Sequence, residues 1–176
     1  IAALIVLIML SGFFSASETA YSSLNMIRLK SRAEDGDRQA AKVLALAERY
    51  DSLLSTILIG NNIVNLAAAS LTTSLAYSLG GSMIAVANAI LTIAILLFGE
   101  ITPKTMASIH AEKMSLVYAR IIHLFMIIAT PVIFLINGLS RCVLILFRID
   151  PDAKNNIMTE TELRTIVDVS HEDGVI

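Results

Sequence analysis

Uncharged apolar runs alternate along this chain with short segments dense in charge, and that alternation alone predicts its elements. Residues 1 to 17 carry no charge, and neither does the stretch from Ser52 to Gly99. A spanning helix needs about 20 mainly apolar residues. The first run therefore predicts one helix, about Ile1 to Leu24. The second predicts a hairpin of two, about Leu53 to Tyr77 and Met83 to Gly99, turning at Leu79-Gly80-Gly81-Ser82. Between them lie Arg28, Lys30, Arg32, Arg38, Lys42 and Arg49, interleaved with Ile27, Leu29, Val43, Leu44 and Leu46. The break Asp35-Gly36-Asp37 divides this stretch into two short helices, either lying at the membrane surface or forming a solvated connector.

Clustered Lys and Arg mark the cytoplasmic side of a membrane segment. The N-terminus is then outside, helix two runs outward, and helix three returns so that Lys104 and Lys113 land inside. Met114 to Phe147 is long enough to span but holds Arg120, His123, Pro131, Asn137 and Arg141. A fourth crossing would put the polar tail outside. Pro131 in the middle, with Arg120 and Arg141 snorkelling to the headgroups, predicts instead two half-length helices that dip into the inner leaflet or wrap the bundle. Residues 1–147 are thus expected to form a membrane domain with three crossings. Residues 148–176 read as a linker, Asp150-Pro151-Asp152, and a capped amphipathic helix with Thr159 at its N-cap and Glu162 three positions on. The first run has neither an initiating Met nor a basic flank, so it does not read as a signal peptide, and the chain is expected to be a piece of a longer one.

Composition agrees with bilayer as the solvent: 56% of the 176 residues are hydrophobic, 16% are charged, and mean hydropathy is +0.74. A net charge of -2 without a basic block argues against nucleic acid as a partner. One cysteine, Cys142, offers no disulfide framework and no Cys-based zinc motif.

Candidate chemistry lies where polar residues interrupt the apolar runs. Glu100 follows the apolar run Ala85 to Phe98 with only Gly99 between. A carboxylate at membrane depth costs a few kcal/mol, which makes an ion path one reading and an interfacial pair with Lys104 the other. Pro103 lacks an N–H and crowds the carbonyl four residues back, that of Gly99, so a released carbonyl beside a carboxylate would form a pair of hard oxygen donors. The plainer alternative is a proline that only bends or ends the helix. Helix one supplies Ser11-Gly12, then Ser15, Ser17, Glu18 and Ser22, with Ser15, Glu18 and Ser22 on one face. Helix two supplies Asn61, Asn62 and Asn65, as cation ligands or as interhelical hydrogen-bonding groups. All are oxygen donors, which suits Mg²⁺, Ca²⁺ or Na⁺ better than zinc or copper. No nucleophile and base stand at a recognisable spacing, so no enzyme is expected.

Ser15-Ala16-Ser17-Glu18-Thr19-Ala20, Gly60-Asn61-Asn62-Ile63-Val64-Asn65 and Gly99-Glu100-Ile101-Thr102-Pro103-Lys104, in this order, resemble the CNNM/CorC family of magnesium transporters. The tail motifs Thr159-Glu160-Thr161-Glu162-Leu163 and Glu172-Asp173-Gly174 resemble that family's lead-in to a cytoplasmic pair of CBS domains. The resemblance implies an all-α membrane protein, with three transmembrane helices plus juxtamembrane belt helices per protomer. It implies a homodimer in a cell membrane, expected to be a bacterial inner membrane, with the C-terminus cytoplasmic. It further implies Mg²⁺ export, exchanged for Na⁺ and regulated by ATP only through CBS domains that this chain does not include. By motif position the ion site would fall on Ser15, Ser17, Asn62, Gly99 and Glu100, with Glu18, Ser22, Asn61, Asn65, Pro103 and Lys104 in support. A membrane Mg²⁺ sensor or scaffold that modulates other carriers, or a purely structural anchor, would use the same pattern.

Overall fold

The computed structural model describes residues 1–78 and 80–146, except for the side chains of 137, 145 and 146. Its elements, all helical, are α1 (Ala2–Ser22), α2 (Met26–Glu34), α3 (Arg38–Ala47), α4 (Tyr50–Ser78), α5 (Ile84–Ala94), a π-helical segment (Ile95–Ile101), α6 (Thr102–Ile109) and α7 (Ala111–Leu146). Residues Ile1–Ile133 form one compact unit; Phe134–Ile176 form a second, of which only the end of α7 is described. The linker and the capped helix expected over 148–176 lie outside the described residues.

Among the described residues four helices, rather than the expected three, are long and apolar enough to cross a membrane: Ala2–Ser22, Tyr50–Ser78, Ile84–Ile109 and Ala111–Leu144. The correction falls on the last. Pro131 sits inside an unbroken α7 instead of dividing it into two half-length helices. A proline removes one main-chain donor, but in an apolar solvent the remaining backbone groups have no partner except the helix itself, so continuity is favoured over a break. Beside it, the Thr130 hydroxyl donates to the Met126 carbonyl at 2.7 Å.

Helix three also outruns its expected end at Gly99, continuing to Ile109 through the π-helical segment. Pro103 is tolerated because it occupies the first turn of α6, where an α-helix does not use the N–H. The Thr102 N–H reaches back five residues to the Leu97 carbonyl. Such single-turn widenings occur frequently at functional sites.

The two short helices form as the Asp35-Gly36-Asp37 break requires. Gly36 adopts φ 93°, Asn25 caps α2 by accepting from the Arg28 N–H at 3.0 Å, and Asp37 caps α3 by accepting from Gln39 and Ala40 at 2.9 and 3.2 Å. They are not a solvated connector. Leu29, Ala40, Val43 and Leu46 are buried in the same apolar cluster as Phe14 and Tyr21 of α1, Leu53 and Ile57 of α4, and Ala119, Ile122 and Met126 of α7. Arg32 bonds both Asp37, at 2.5 Å, and Glu112 at the start of α7, while Arg28 pairs with Glu112 at 3.3 Å. The Glu112 carboxylate, then Asp37, raise the Arg32 pKa. The Ala40 N–H, followed by Arg32, holds Asp37 below the ordinary aspartate value.

At mid-bundle, Phe13 and Phe14 of α1 meet Tyr118 and Phe125 of α7 with ring centroids 4.8 to 6.5 Å apart, mostly edge to face. Against lipid, burial itself supplies little drive, so such fitted contacts carry the packing. The Phe14 ring lies over Gly60 of α4, where a Cβ would stand only 2.5 Å from its tip.

Candidate functional site

The site grows from one seam of α1. Ser11, fully buried, donates to the Asn61 Oδ1 of α4 at 3.0 Å. On the next residue, a Cβ at Gly12 would meet the Phe98 carbonyl oxygen and the Pro103 ring, each at 3.1 Å. Across from it, a Cβ at Gly99 would stand 3.0 Å from the Ser11 Oγ. Glycines at 12 and 99 therefore let α1 touch the backbone of the π-helical segment. Ser15 follows Ser11 by four positions and Gly12 by three, so it sits one turn along the same seam, between α4 and the segment. It is 0% exposed and its Oγ has no hydrogen-bond partner among the described residues. A buried hydroxyl without a partner costs on the order of 1 to 3 kcal/mol, so this Oγ is an oxygen available to a ligand, as are the buried Asn65 Oδ1 and Thr72 Oγ1 elsewhere, on α4.

The Phe98 carbonyl faces Gly12; its α-register donor, the Thr102 N–H, reaches back to Leu97 instead, and its π-register donor would be residue 103, a proline without an N–H. The Gly99 carbonyl loses its α-register donor at the same proline, though residue 104 stands in π register to it. Glu100, partly buried, stands between these two carbonyls and Pro103 along the chain and has no ion-pair partner among the described residues. Lys104 does not pair with it. The Lys104 ammonium is 3.1 Å from Glu18 on α1, which removes the interfacial Glu100–Lys104 pair and ties up Glu18.

Other residues named from the sequence are not brought to this point. Ser17 is fully buried, but on an unbroken helix residues two apart face nearly opposite ways, and its hydroxyl donates to its own turn, to Phe13 at 2.7 Å. Asn62 is exposed on α4, its amide donating to Leu58 at 2.9 Å; Asn61 is the amide that reaches α1. Ser22 is exposed and donates to Thr19 at 3.1 Å. Asn65 keeps a buried Oδ1 without a partner among the described residues. Ser11 was legible only as part of a serine-rich helix; its spacing of four from Ser15 was the available signal.

Described elements that are all helical, several of them long enough to span, with an oxygen-bearing seam between them define a multi-pass membrane domain. The chain belongs to the cyclin M (CNNM) transmembrane N-terminal domain family, whose model matches residues 2–176. It is 38% identical over 170 residues to a UPF0053 protein of Haemophilus influenzae, covering 96% of this chain and 40% of that protein. It is 36% identical over 160 residues to the UPF0053 inner membrane protein YfjD of Escherichia coli, covering 90% and 37%. A chloroplastic DUF21 domain-containing protein of Arabidopsis thaliana is 31% identical over 174 residues, covering 98% and 26%. The chain thus spans well under half the length of these curated relatives.

Proposed function

We propose that this domain carries Mg²⁺ across the membrane, exporting it in exchange for Na⁺, and that the ion passes the α1, α4 and π-segment seam. The observation that carries the reading is the fully buried Ser15 hydroxyl, without a partner among the described residues, on the α1 seam that packs on the segment bearing Glu100, a carboxylate with no ion pair among the described residues while Lys104 pairs with Glu18. Mg²⁺ prefers about six oxygens and releases water reluctantly, so Ser15, the Phe98 or Gly99 carbonyl and Glu100 would hold a partly hydrated ion. Asn61 is positioned to join on releasing Ser11. Ser17 and Asn62 would join such a shell only in another arrangement of α1 and α4.

The proposed assembly is a homodimer with its N-terminus outside and C-terminus inside, and the E. coli relative's inner membrane supports a bacterial inner membrane as its location. Asn62 supports dimerisation, because an amide on the outer face of a spanning helix favours a polar partner from a second helix. ATP would act only through CBS domains outside this chain. The test is Mg²⁺ release from proteoliposomes, with and without an opposing Na⁺ gradient. The proposal expects Na⁺-accelerated Mg²⁺ movement. Binding without flux would assign the domain to a Mg²⁺-sensing scaffold, and neither would leave a structural anchor.

A further inference from the structure

A second polar feature lies away from the seam, between α3 and α7. There a cavity of about 300 Å³ is bordered by Lys42 of α3, Arg49 of the link between α3 and α4, and Arg120 and His123 of α7, over a floor that includes buried Leu46 and Ala119. No carboxylate lines it, and none of its three fixed cations has an ion-pair partner among the described residues. The neighbouring basic cluster differs: Arg28 and Arg32 are both neutralised by Glu112, and Arg32 also by Asp37.

The level of this cavity follows from α1 and α7. The Tyr21 hydroxyl, one residue from the end of α1, donates to the Ser115 carbonyl at 3.4 Å. At about 1.5 Å rise per residue, Arg120 and His123 then lie roughly 8 and 12 Å further along α7, about a third of the way along a 34-residue apolar stretch that outruns the hydrocarbon core of about 30 Å, and so near its inner boundary. Unpartnered cations there are expensive unless an anion accompanies them. An apolar floor beneath a ring of cations fits a molecule with an anionic head and hydrocarbon tails. Basic pockets beside spanning helices bind anionic headgroups by this logic.

We propose that the α3–α7 cavity binds the phosphate headgroup of an anionic phospholipid from the inner leaflet, with Lys42, Arg49, Arg120 and His123 around the phosphate and the acyl chains along α7. Bound there, the lipid fastens the short α2–α3 pair to the bundle. The inference shares the proposed membrane orientation but does not depend on Mg²⁺ transport.

The test is thermal unfolding of the detergent-solubilised full chain with added dioleoyl-phosphatidylglycerol, dioleoyl-phosphatidylcholine or inorganic phosphate, with native mass spectrometry counting bound lipid. Phosphatidylglycerol should raise the melting temperature with one tightly held lipid per protomer, and phosphatidylcholine should not. The exposed-residue variants Lys42→Gln and His123→Gln, and the double variant Arg49→Gln/Arg120→Gln, should weaken retention, the double at least tenfold. Arg28→Gln, in the self-neutralised cluster, should leave it unchanged. Equal stabilisation by both lipids, or undiminished phosphatidylglycerol retention in folded Lys42→Gln and His123→Gln, would overturn the proposal. Full stabilisation by inorganic phosphate at matched concentration would also overturn it, in favour of a soluble anion.

Discussion

Gly60→Ala probes how closely α1 and α4 must approach for the seam to exist. The added Cβ would stand 2.5, 2.6 and 3.0 Å from three ring atoms of Phe14, where ordinary contact begins at 3.4 Å. That ring is 2% exposed and held by Phe13 and Phe125 at centroid distances of 5.4 and 5.1 Å, contacts it would have to give up to swing into the cavity of about 250 Å³ that it borders with Gly60. If it keeps them, the helices must part by about 0.9 Å. Overpacking of this kind costs about 1 to 3 kcal/mol. The same displacement stretches the 3.0 Å Ser11–Asn61 bond beyond hydrogen-bonding range, a further loss of about 0.6 to 2 kcal/mol in a membrane interior. A total of about 1.6 to 5 kcal/mol should appear as an earlier midpoint in equilibrium SDS unfolding followed by circular dichroism. Because the clash is with one ring, Phe14→Leu should recover at least half of the loss in the double variant. Wild-type stability in Gly60→Ala, or strictly additive effects in the pair, would refute the close approach.

Lys104→Met should leave Mg²⁺ affinity within about threefold of wild type and lower stability by no more than about 1 kcal/mol, because its partner is a half-exposed Glu18; calorimetry and unfolding check both. Pro131→Ala should leave helical content unchanged and stability equal or higher, since α7 is already continuous, and a fall in helicity by circular dichroism would contradict this. Asp37 has a lowered pKa, so its stabilisation of the α2–α3 elbow is complete above the ordinary aspartate value, about 3.9, and is lost as pH falls through its lower folded value. The raised Arg32 pKa works in the opposite sense and matters only at extreme alkalinity. Hydrogen exchange at the Gln39 and Ala40 amides, corrected for intrinsic rate, should therefore stay protected from pH 5 to 8 and open only below about pH 4; opening near pH 6 would remove Asp37 as the cap.

The fold was legible wherever one local rule decided the outcome. The apolar runs gave α1 and α4, Gly36 with Asp37 gave the elbow, and the diglycine turn follows from Gly80 and Gly81 at φ 113° and 76°. The two prolines differ in outcome. Pro131 was read by the soluble-protein rule that proline divides a helix, but in hydrocarbon a broken helix strands more backbone groups than one missing N–H does, whereas Pro103 was read as disturbing the backbone around Gly99, with a plain helix end as the alternative. At Pro103 the chain widens into a π turn, and at Pro131 it continues directly. In the site, Glu100, Gly99 and Ser15 stood out because polar groups are rare in such runs. The choice between Asn61 and Asn62 did not, because adjacent helical positions differ by 100° and only the partner, Ser11, reveals which one faces α1. Ser15 and Ser17 were likewise equivalent as text and face opposite ways as structure.

The most direct test of the seam as the ion site is calorimetric titration of Mg²⁺ into the purified wild-type domain, Glu100→Gln and Ser15→Ala, each checked for helicity and oligomeric state. Glu100→Gln keeps the shape and removes the carboxylate charge, so affinity should fall at least tenfold, about 1.4 kcal/mol, and Ser15→Ala should weaken binding without altering stability adversely, since its hydroxyl has no protein partner to lose. Wild-type Mg²⁺ affinity in a folded Glu100→Gln protein would contradict the account.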